Sequence, residues 1–385
     1  MKLTKLFNEF FDSEKSAGII LIFCCLVSLL FTNSTLGHYY LQLWHFDIFS
    51  KPLEFWINDG FMTIFFLLVG LEIEREIHVG ELSNIKSSLL PIFAALGGMI
   101  LPALIHFIFN QGTIFQRGFG IPMATDIAFS LGFLSLLGNR VPASLKVFLT
   151  ALAIIDDLGA IIIIALFYST GISLLYLGLA VLIFGIMILL NRLKFYRIWI
   201  YLILGCFMWL CIYHTGIHPT ITGVLLAFAI PFSPNDEKSP SYILQHRLDK
   251  TVPFIILPLF ALANTAILFP TSLINTISNS NSYGIILGLL LGKPLGIFIF
   301  SIVGVTMGLC SIPKEIKKSD LLGVGLLAGI GFTMSIFITL LAFSDSVAII
   351  SSKFSILIAS FIAGLLGLLW LYIKLPGKSY ITNVE

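Results

Sequence analysis

The sequence predicts an all-α polytopic membrane protein with twelve transmembrane helices, and three observations predict it. Hydrophobic residues make up 58% of the 385 positions and charged residues 11%, for a mean hydropathy of +1.02. A soluble domain is about a quarter charged and could not hide that much apolar surface. Apolar runs of about 20 residues, one hydrocarbon thickness as helix, recur along the whole chain, whereas a β-barrel would alternate in segments of about 10. The lysines and arginines also gather on alternate connections, the pattern that sets how a helical chain threads a bilayer.

In chain order, the spans are expected over 16–33, 54–78, 88–110, 120–138, 143–169, 172–191, 196–213, 216–231, 251–268, 283–308, 320–342 and 351–374. The connections are short and polar, and none separates two domains, so 1–385 reads as a single transmembrane domain. Ahead of the first span, Leu3, Leu6, Phe7, Phe10 and Phe11 fall at helical spacing. They predict an amphipathic segment over 1–15 lying on the cytoplasmic membrane surface. Lys2 and Lys5 before an apolar run resemble the start of a signal peptide. Glu9, Asp12 and Glu14 intervene, however, and no small-x-small cleavage site follows Leu30, so the run reads as a retained span.

Eighteen of the 22 lysines and arginines lie in the N-terminal segment, the connections after spans 2, 4, 6, 8 and 10, the span ends beside those connections and the C-terminus. Lys51, Arg117 and Lys353 lie on the other side, and Lys293 is inside a span. That asymmetry predicts both termini in the cytoplasm, a cytoplasmic tail over 375–385 and a periplasmic connection over 34–53. The net charge of +2 comes without a basic block, so nucleic acid is not an expected partner. Cys24, Cys25, Cys206, Cys211 and Cys310 show no Cys-x-x-Cys spacing, which signals neither a disulfide framework nor a bound metal. No cofactor is expected.

Charges inside the spans carry the functional signal. An ionised side chain at the bilayer centre costs about 2.5–3.5 kcal/mol or more. Asp156 and Asp157 stand together in the middle of span 5, in ALAIIDDLGAIIII. Successive helical residues point about 100° apart, so the two carboxylates cannot face one neighbour, but they can line one polar cavity. Carboxyls placed there can exchange protons, and a small hard cation that prefers oxygen ligands can replace those protons. An ion pair holding helices together is the structural alternative.

Lys293, in the middle of span 10, is the natural countercharge for one aspartate, either as a static bridge or as one that breaks when a cation binds. Around it Gly288, Gly292 and Gly296 recur every four residues, which makes a groove for a neighbouring helix. Pro294 stands where a phosphate loop needs Ser or Thr. Asp126 lies in GIPMATDIAFSLG, where Pro122 predicts a break in span 4. Span 11 carries a matching disruption, LLAGIGFTMSIF, with Gly329 and Gly331 ahead of Thr333 and Ser335. Irregular backbone at membrane depth survives only where protein or water lines it, and paired interruptions point to a central ion site; helix-packing glycines are the alternative for span 11.

At the predicted cytoplasmic end of span 2, Glu72, Glu74, Arg75, Glu76 and Glu81 cluster. They read as a cation-attracting or pH-responsive mouth, or as a solvated helix end. His246, in the 232–250 connection, is a further pH-response candidate. His214 and His218 are four apart but lack a third ligand nearby, so a metal site is not expected.

These residues resemble the NhaA-type bacterial sodium/proton antiporters over nearly the full length. The most specific stretches are INDGFMTIFFLLVGLEIERE (57–76), IPMATDIAFSLG (121–132), ALAIIDDLGAIIIIALFYS (151–169), ILPLFALAN (256–264), LGKPLG (291–296) and GIGFTMSIFI (329–338). The resemblance implies inverted-topology repeats in which spans 4 and 11 are unwound and cross near the midplane. It implies Asp157 as the main ligand for sodium or lithium, and Asp156 beside it as a proton carrier paired with Lys293. Thr125 would line the site, Asp126 would offset positive half-helix ends and Lys293 negative ones. Glu72, Arg75 and Glu76 match residues linked with pH response. The resemblance further implies a homodimer formed through the region here at 34–53, which lacks an Asn-Gly turn. Two acids titrating against one monovalent cation would make exchange electrogenic, and with no ATP-site motif the proton gradient is the expected driving force; the bacterial inner membrane is the expected location. Gln245 and Asp249-Lys250 depart from the family pattern before ILPLFALAN, so a different pH profile is expected. Two other classes fit paired acids less well. An intramembrane aspartyl protease needs acids on facing helices and gives Lys293 no role, and a passive cation channel moves no protons.

Overall fold

In hydrocarbon a helix is one of two structures that satisfy every backbone group internally, and the apolar runs fold accordingly. The computed structural model describes residues 14–80, 83, 85–169, 171–234, 236–270 and 272–375. The amphipathic pattern before residue 14, Glu81 and the tail after 375 lie outside the described residues. The principal helices are α1 (Glu14–Thr32), α2 (Met62–His78), α3 (Ile85–Asn110), α4 (Ile127–Ser135), α5 (Ala143–Phe167), α6 (Leu174–Arg192), α7 (Ile198–Tyr213) and α8 (Ile221–Ala229). They continue with α9 (Pro240–Thr251), α10 (Leu257–Asn264), α11 (Ser280–Leu287), α12 (Lys293–Thr306), α13 (Lys318–Ala328), α14 (Phe332–Ala342) and α15 (Ser346–Lys374).

Among the described residues, seven helical runs are long and apolar enough to cross a membrane: Lys15–Thr32, Leu53–His78, Ser88–Asn110, Ala143–Phe167, Leu174–Arg192, Ser280–Thr306 and Ser346–Lys374. Two further runs are bent, Ile114–Met123 with α4 by 41° and α13 with α14 by 51°, which raises the number to nine if each bent pair is one span. The three other segments expected to span hold shorter helices. In 216–231 only α8 forms, because Gly216 at φ 86° and Pro219 keep the preceding residues in turns. Around 251–268 helix starts earlier than expected, at Pro240. The Ser239 hydroxyl accepts from Tyr242 N–H at 3.3 Å and Pro240 occupies the first turn, a strong start signal. Helix then runs through a π turn at Val252–Ile256 into α10.

Helices meet closely where glycine removes the side chain. A Cβ built on Gly97 of α3 would lie 2.1 Å from the Gly296 carbonyl oxygen of α12, and one on Gly296 would lie 2.1 Å from the Gly97 oxygen. The two backbones therefore touch directly, and this contact holds Lys293, three residues from Gly296, against the centre of the bundle. Between α1 and α2, Gly37–Trp44 is a short helix, followed by a two-residue antiparallel hairpin, Asp47–Ile48 with Lys51–Pro52. Phe49 and Ser50 turn it at φ 51° and 62°, positions where Asn-Gly is the usual choice.

Candidate ion site at two broken helices

A helix end leaves backbone groups without intrahelical partners, and each of the two breaks supplies what the other lacks. Asp126 N–H donates to Ile330 O at 2.7 Å, Ser130 Oγ to Leu327 O at 2.8 Å and Ser335 Oγ to Ile121 O at 2.7 Å. The Asp126 carboxylate caps two helices at once. Oδ1 accepts from Phe129 N–H of its own α4 at 3.1 Å, and Oδ2 accepts from Thr333 N–H of α14 at 3.0 Å and from the Thr333 hydroxyl. Negative charge at two N-terminal ends opposes both positive dipole ends. The Lys293 ammonium donates to the carbonyl of Met123, the last residue of the 3₁₀ segment Ile114–Met123, where a cation opposes a negative end.

Against this cross-braced centre α5 presents its two acids. Asp156 Oδ2 lies 3.0 Å from Lys293 Nζ and 2.6 Å from the Thr125 hydroxyl, which also sits 3.1 Å from Ala328 O. Asp157 is fully buried, and neither of its carboxylate oxygens has a hydrogen-bond partner among the described residues. Buried polar groups are normally paired, and an unpaired buried charge is costlier than any other. Four lone-pair positions at membrane depth are thus free to take a proton or a cation.

Two cavities lie along the helical run Leu53–His78, one beside its residues 65–72 and the other beside its first residues, 54–59. One, of about 310 Å³, is lined by Glu72, Asp126, Asp249, Val252, Leu257 and Thr333 among others. The second, of about 270 Å³, is lined by Glu54, Asn58, Asp59, His218 and Phe337 among others. Phe337 packs on Phe66 and Phe260 at ring-centroid distances of 5.5 and 6.5 Å, all three rings fully buried. Asp157 lines neither cavity.

A family model described as Na+/H+ antiporter 1 matches residues 8–371. The chain belongs to that family. It is 58% identical to the Na(+)/H(+) antiporter NhaA of Flavobacterium psychrophilum, over 95% of this chain and 96% of the relative. It is 56% identical to that of Cytophaga hutchinsonii, over 100% and 98%, and 44% identical to that of Yersinia enterocolitica, over 99% and 100%. Membership makes the chain a multi-pass membrane transporter and not an enzyme.

In this member of the Na+/H+ antiporter 1 family, Thr125, Asp126, Asp156, Asp157 and Lys293 come together at the breaks. Glu72 shares the lining of the larger cavity with Asp126. Arg75 and His246 are exposed, and the His246 ring stacks on Tyr242 at 6.3 Å. Glu74, expected only as part of a charged helix end, is instead buried, with Ser241 Oγ 3.5 Å from its carboxylate. His214 stacks on Tyr176, whereas His218 faces Asp59 at 3.5 Å and Thr220 at 2.8 Å.

Sequence reasoning missed the second cavity. Asn58 and Asp59 sit on a π turn, Trp56–Phe61, and the Asn58 side-chain Oδ1 accepts from Asn264 Nδ2 at 2.7 Å. Lys353 Nζ lies 3.5 Å from the Asn264 side-chain Oδ1. The available signal was an acid within the first turns of an apolar span, a weaker form of the mid-span signal that singled out Asp156.

Proposed function

We propose that the chain exports sodium or lithium from the cytoplasm in electrogenic exchange for periplasmic protons, driven by the proton gradient and serving sodium extrusion and pH homeostasis. The observation that carries this reading is Asp157, buried with both oxygens unpaired beside Asp156. Asp157, with Asp156 beside it and Thr125 lining the site, is the place where cation and protons compete. A site that holds one or the other cannot carry both, so exchange is obligatory, and two acids titrating against one monovalent cation move net charge. Asp126 and Lys293 balance the half-helix ends so that the breaks persist in hydrocarbon.

The larger cavity is the cytoplasmic entrance and the smaller one the periplasmic exit, with Phe66, Phe260 and Phe337 between them. Cation and proton shift the balance between inward-open and outward-open forms only through their different affinities for the two. The chain threads the bacterial inner membrane twelve times as one domain, 1–385, with spans 4 and 11 crossing as inverted-repeat partners and both termini cytoplasmic. Glu72, Arg75, Glu76 and His246 set the pH response at the entrance. The hairpin at 47–52, with Phe49 89% exposed at its tip, mediates a homodimer. Exchange in proteoliposomes across a pH series tests the reading: sodium or lithium added outside must drive protons out of the lumen, onto the side where the cation was added. Sodium flux without proton counterflow would make the protein a channel.

Asp249 gives a pH-dependent prediction. Partial desolvation at the rim of the larger cavity raises its carboxyl above the ordinary carboxylate range, against the lowering pull of His246 and Arg75. Below that titration the wild-type group is neutral, and Asp249→Asn changes little. Above it the wild-type group is an anion facing the entrance, and the substitution raises the apparent KM for sodium about twofold, the effect of one charge about 10 Å away in a wet cavity. The maximal rate stays unchanged. A KM ratio independent of pH would refute the assignment.

A further inference from the structure

We propose that the groove between α3, the Ile114–Met123 segment and the end of α5 holds one phospholipid, with its acyl chains on the apolar walls and its phosphate on the Arg117 guanidinium. Three cations lie on the membrane side opposite the lysine and arginine clusters, and each works against the charge rule that threads the chain. Two of them have evident roles. Lys51 Nζ sits over the rings of Phe55 and Tyr213, at 5.2 and 5.5 Å, and Lys353 is buried beside Asn264. Arg117 is exposed, and its guanidinium has no hydrogen bond, ion pair or ring contact among the described residues.

Beside Arg117 opens a groove of about 750 Å³, walled by Ala103, Leu104 and Phe107 of α3, by Ile114 and Phe119, and by Phe167 of α5. That volume is within the range of sites that enclose a drug-sized molecule. Leu104 and Phe167 are 49% and 60% exposed, so the groove opens sideways to lipid. The rim is held in place. Tyr168 Oη donates to Arg117 O at 2.7 Å, and the Thr113 hydroxyl accepts from Phe115 N–H at 3.2 Å. Gln116 Oε1 accepts from Gly112 N–H at 3.2 Å, which leaves the Gln116 amide N–H₂ as a second donor beside the guanidinium.

α3 ends at Asn110 and α5 at Phe167, so Arg117 stands at the level where hydrocarbon gives way to headgroups. A guanidinium there matches a phosphodiester in a bidentate hydrogen bond, and the walls below it match acyl chains rather than a soluble anion. The inference needs only that α3 and α5 cross the membrane; it is independent of the ion exchanged.

Native mass spectrometry of the detergent-purified protein tests it, titrating phosphatidylglycerol with and without inorganic phosphate. The wild type retains one lipid. Arg117→Gln binds it about fivefold more weakly, the effect of losing one basic group at an anionic lipid surface, and Arg117→Lys falls between. Leu104→Trp, which fills the groove and keeps the charge, also loses lipid. Unchanged retention in Arg117→Gln, or displacement of the lipid by an equal concentration of inorganic phosphate, would overturn the proposal. Sodium/proton exchange by the same variants in proteoliposomes is read separately, so failure of lipid binding and failure of the transport reading are distinguishable.

Discussion

Asp157→Asn is expected to abolish sodium-dependent proton release in everted vesicles, down to the background of vesicles lacking the protein, without lowering thermal stability. The carboxylate makes no hydrogen bond or ion pair with another described side chain, so its replacement by a neutral isostere breaks no contact. It removes a buried unpaired charge, the costliest kind of group to bury. What it takes away is chemical. An amide cannot bind and release a proton in this pH range, and one of its two coordinating atoms becomes a donor that repels a cation. Folding and transport therefore separate in this variant, which few core substitutions allow. Asp157→Asn vesicles that released protons on sodium addition at the wild-type rate would contradict the ligand assignment.

How far the site could be read from sequence depended on whether a feature was local. Pro122, Gly329 and Gly331 punctuate the backbone where they stand, so both breaks were legible as positions. Asp156 and Asp157 were legible because charge in an apolar run is conspicuous. What the breaks do for each other was not legible. The hydrogen bonds of Asp126 to Ile330 and Thr333 join residues about 200 positions apart, and no spacing rule reaches that far. The residue pattern likewise left open which aspartate Lys293 faces, because that depends on the rotation of α12 against α5. The π turns at Trp56–Phe61, Val252–Ile256 and Gly288–Gly292 each change the helical phase within a single run, too little to disturb an apolar pattern. The first of these turns carries Asp59 on the second cavity. Asp249 looked like a departure at the end of a connection; helix starting at Pro240 brings it to the rim of the larger cavity.

The Lys293–Asp156 pair is where stability should respond most strongly. Both side chains are fully buried and 3.0 Å apart, so each is the other's main compensation in hydrocarbon. Removing one partner of a buried pair leaves an uncompensated charge and costs about 3–5 kcal/mol, whereas removing both is often close to neutral. Lys293→Gln and Asp156→Asn should therefore each lower the unfolding temperature in detergent markedly, and the double variant should recover most of the loss. Recovery will be incomplete, because the Lys293 ammonium also donates to Met123 O at the end of the 3₁₀ segment, and Gln is too short to reach it in the same way. The coupling energy from this double-mutant cycle should be about 3 kcal/mol, at the upper end of what contacting residues give. Additive losses in the double variant would mean that the two charges are each compensated elsewhere. The ammonium would then be free to serve as a titrating group in its own right rather than as the counterion that keeps Asp156 in place.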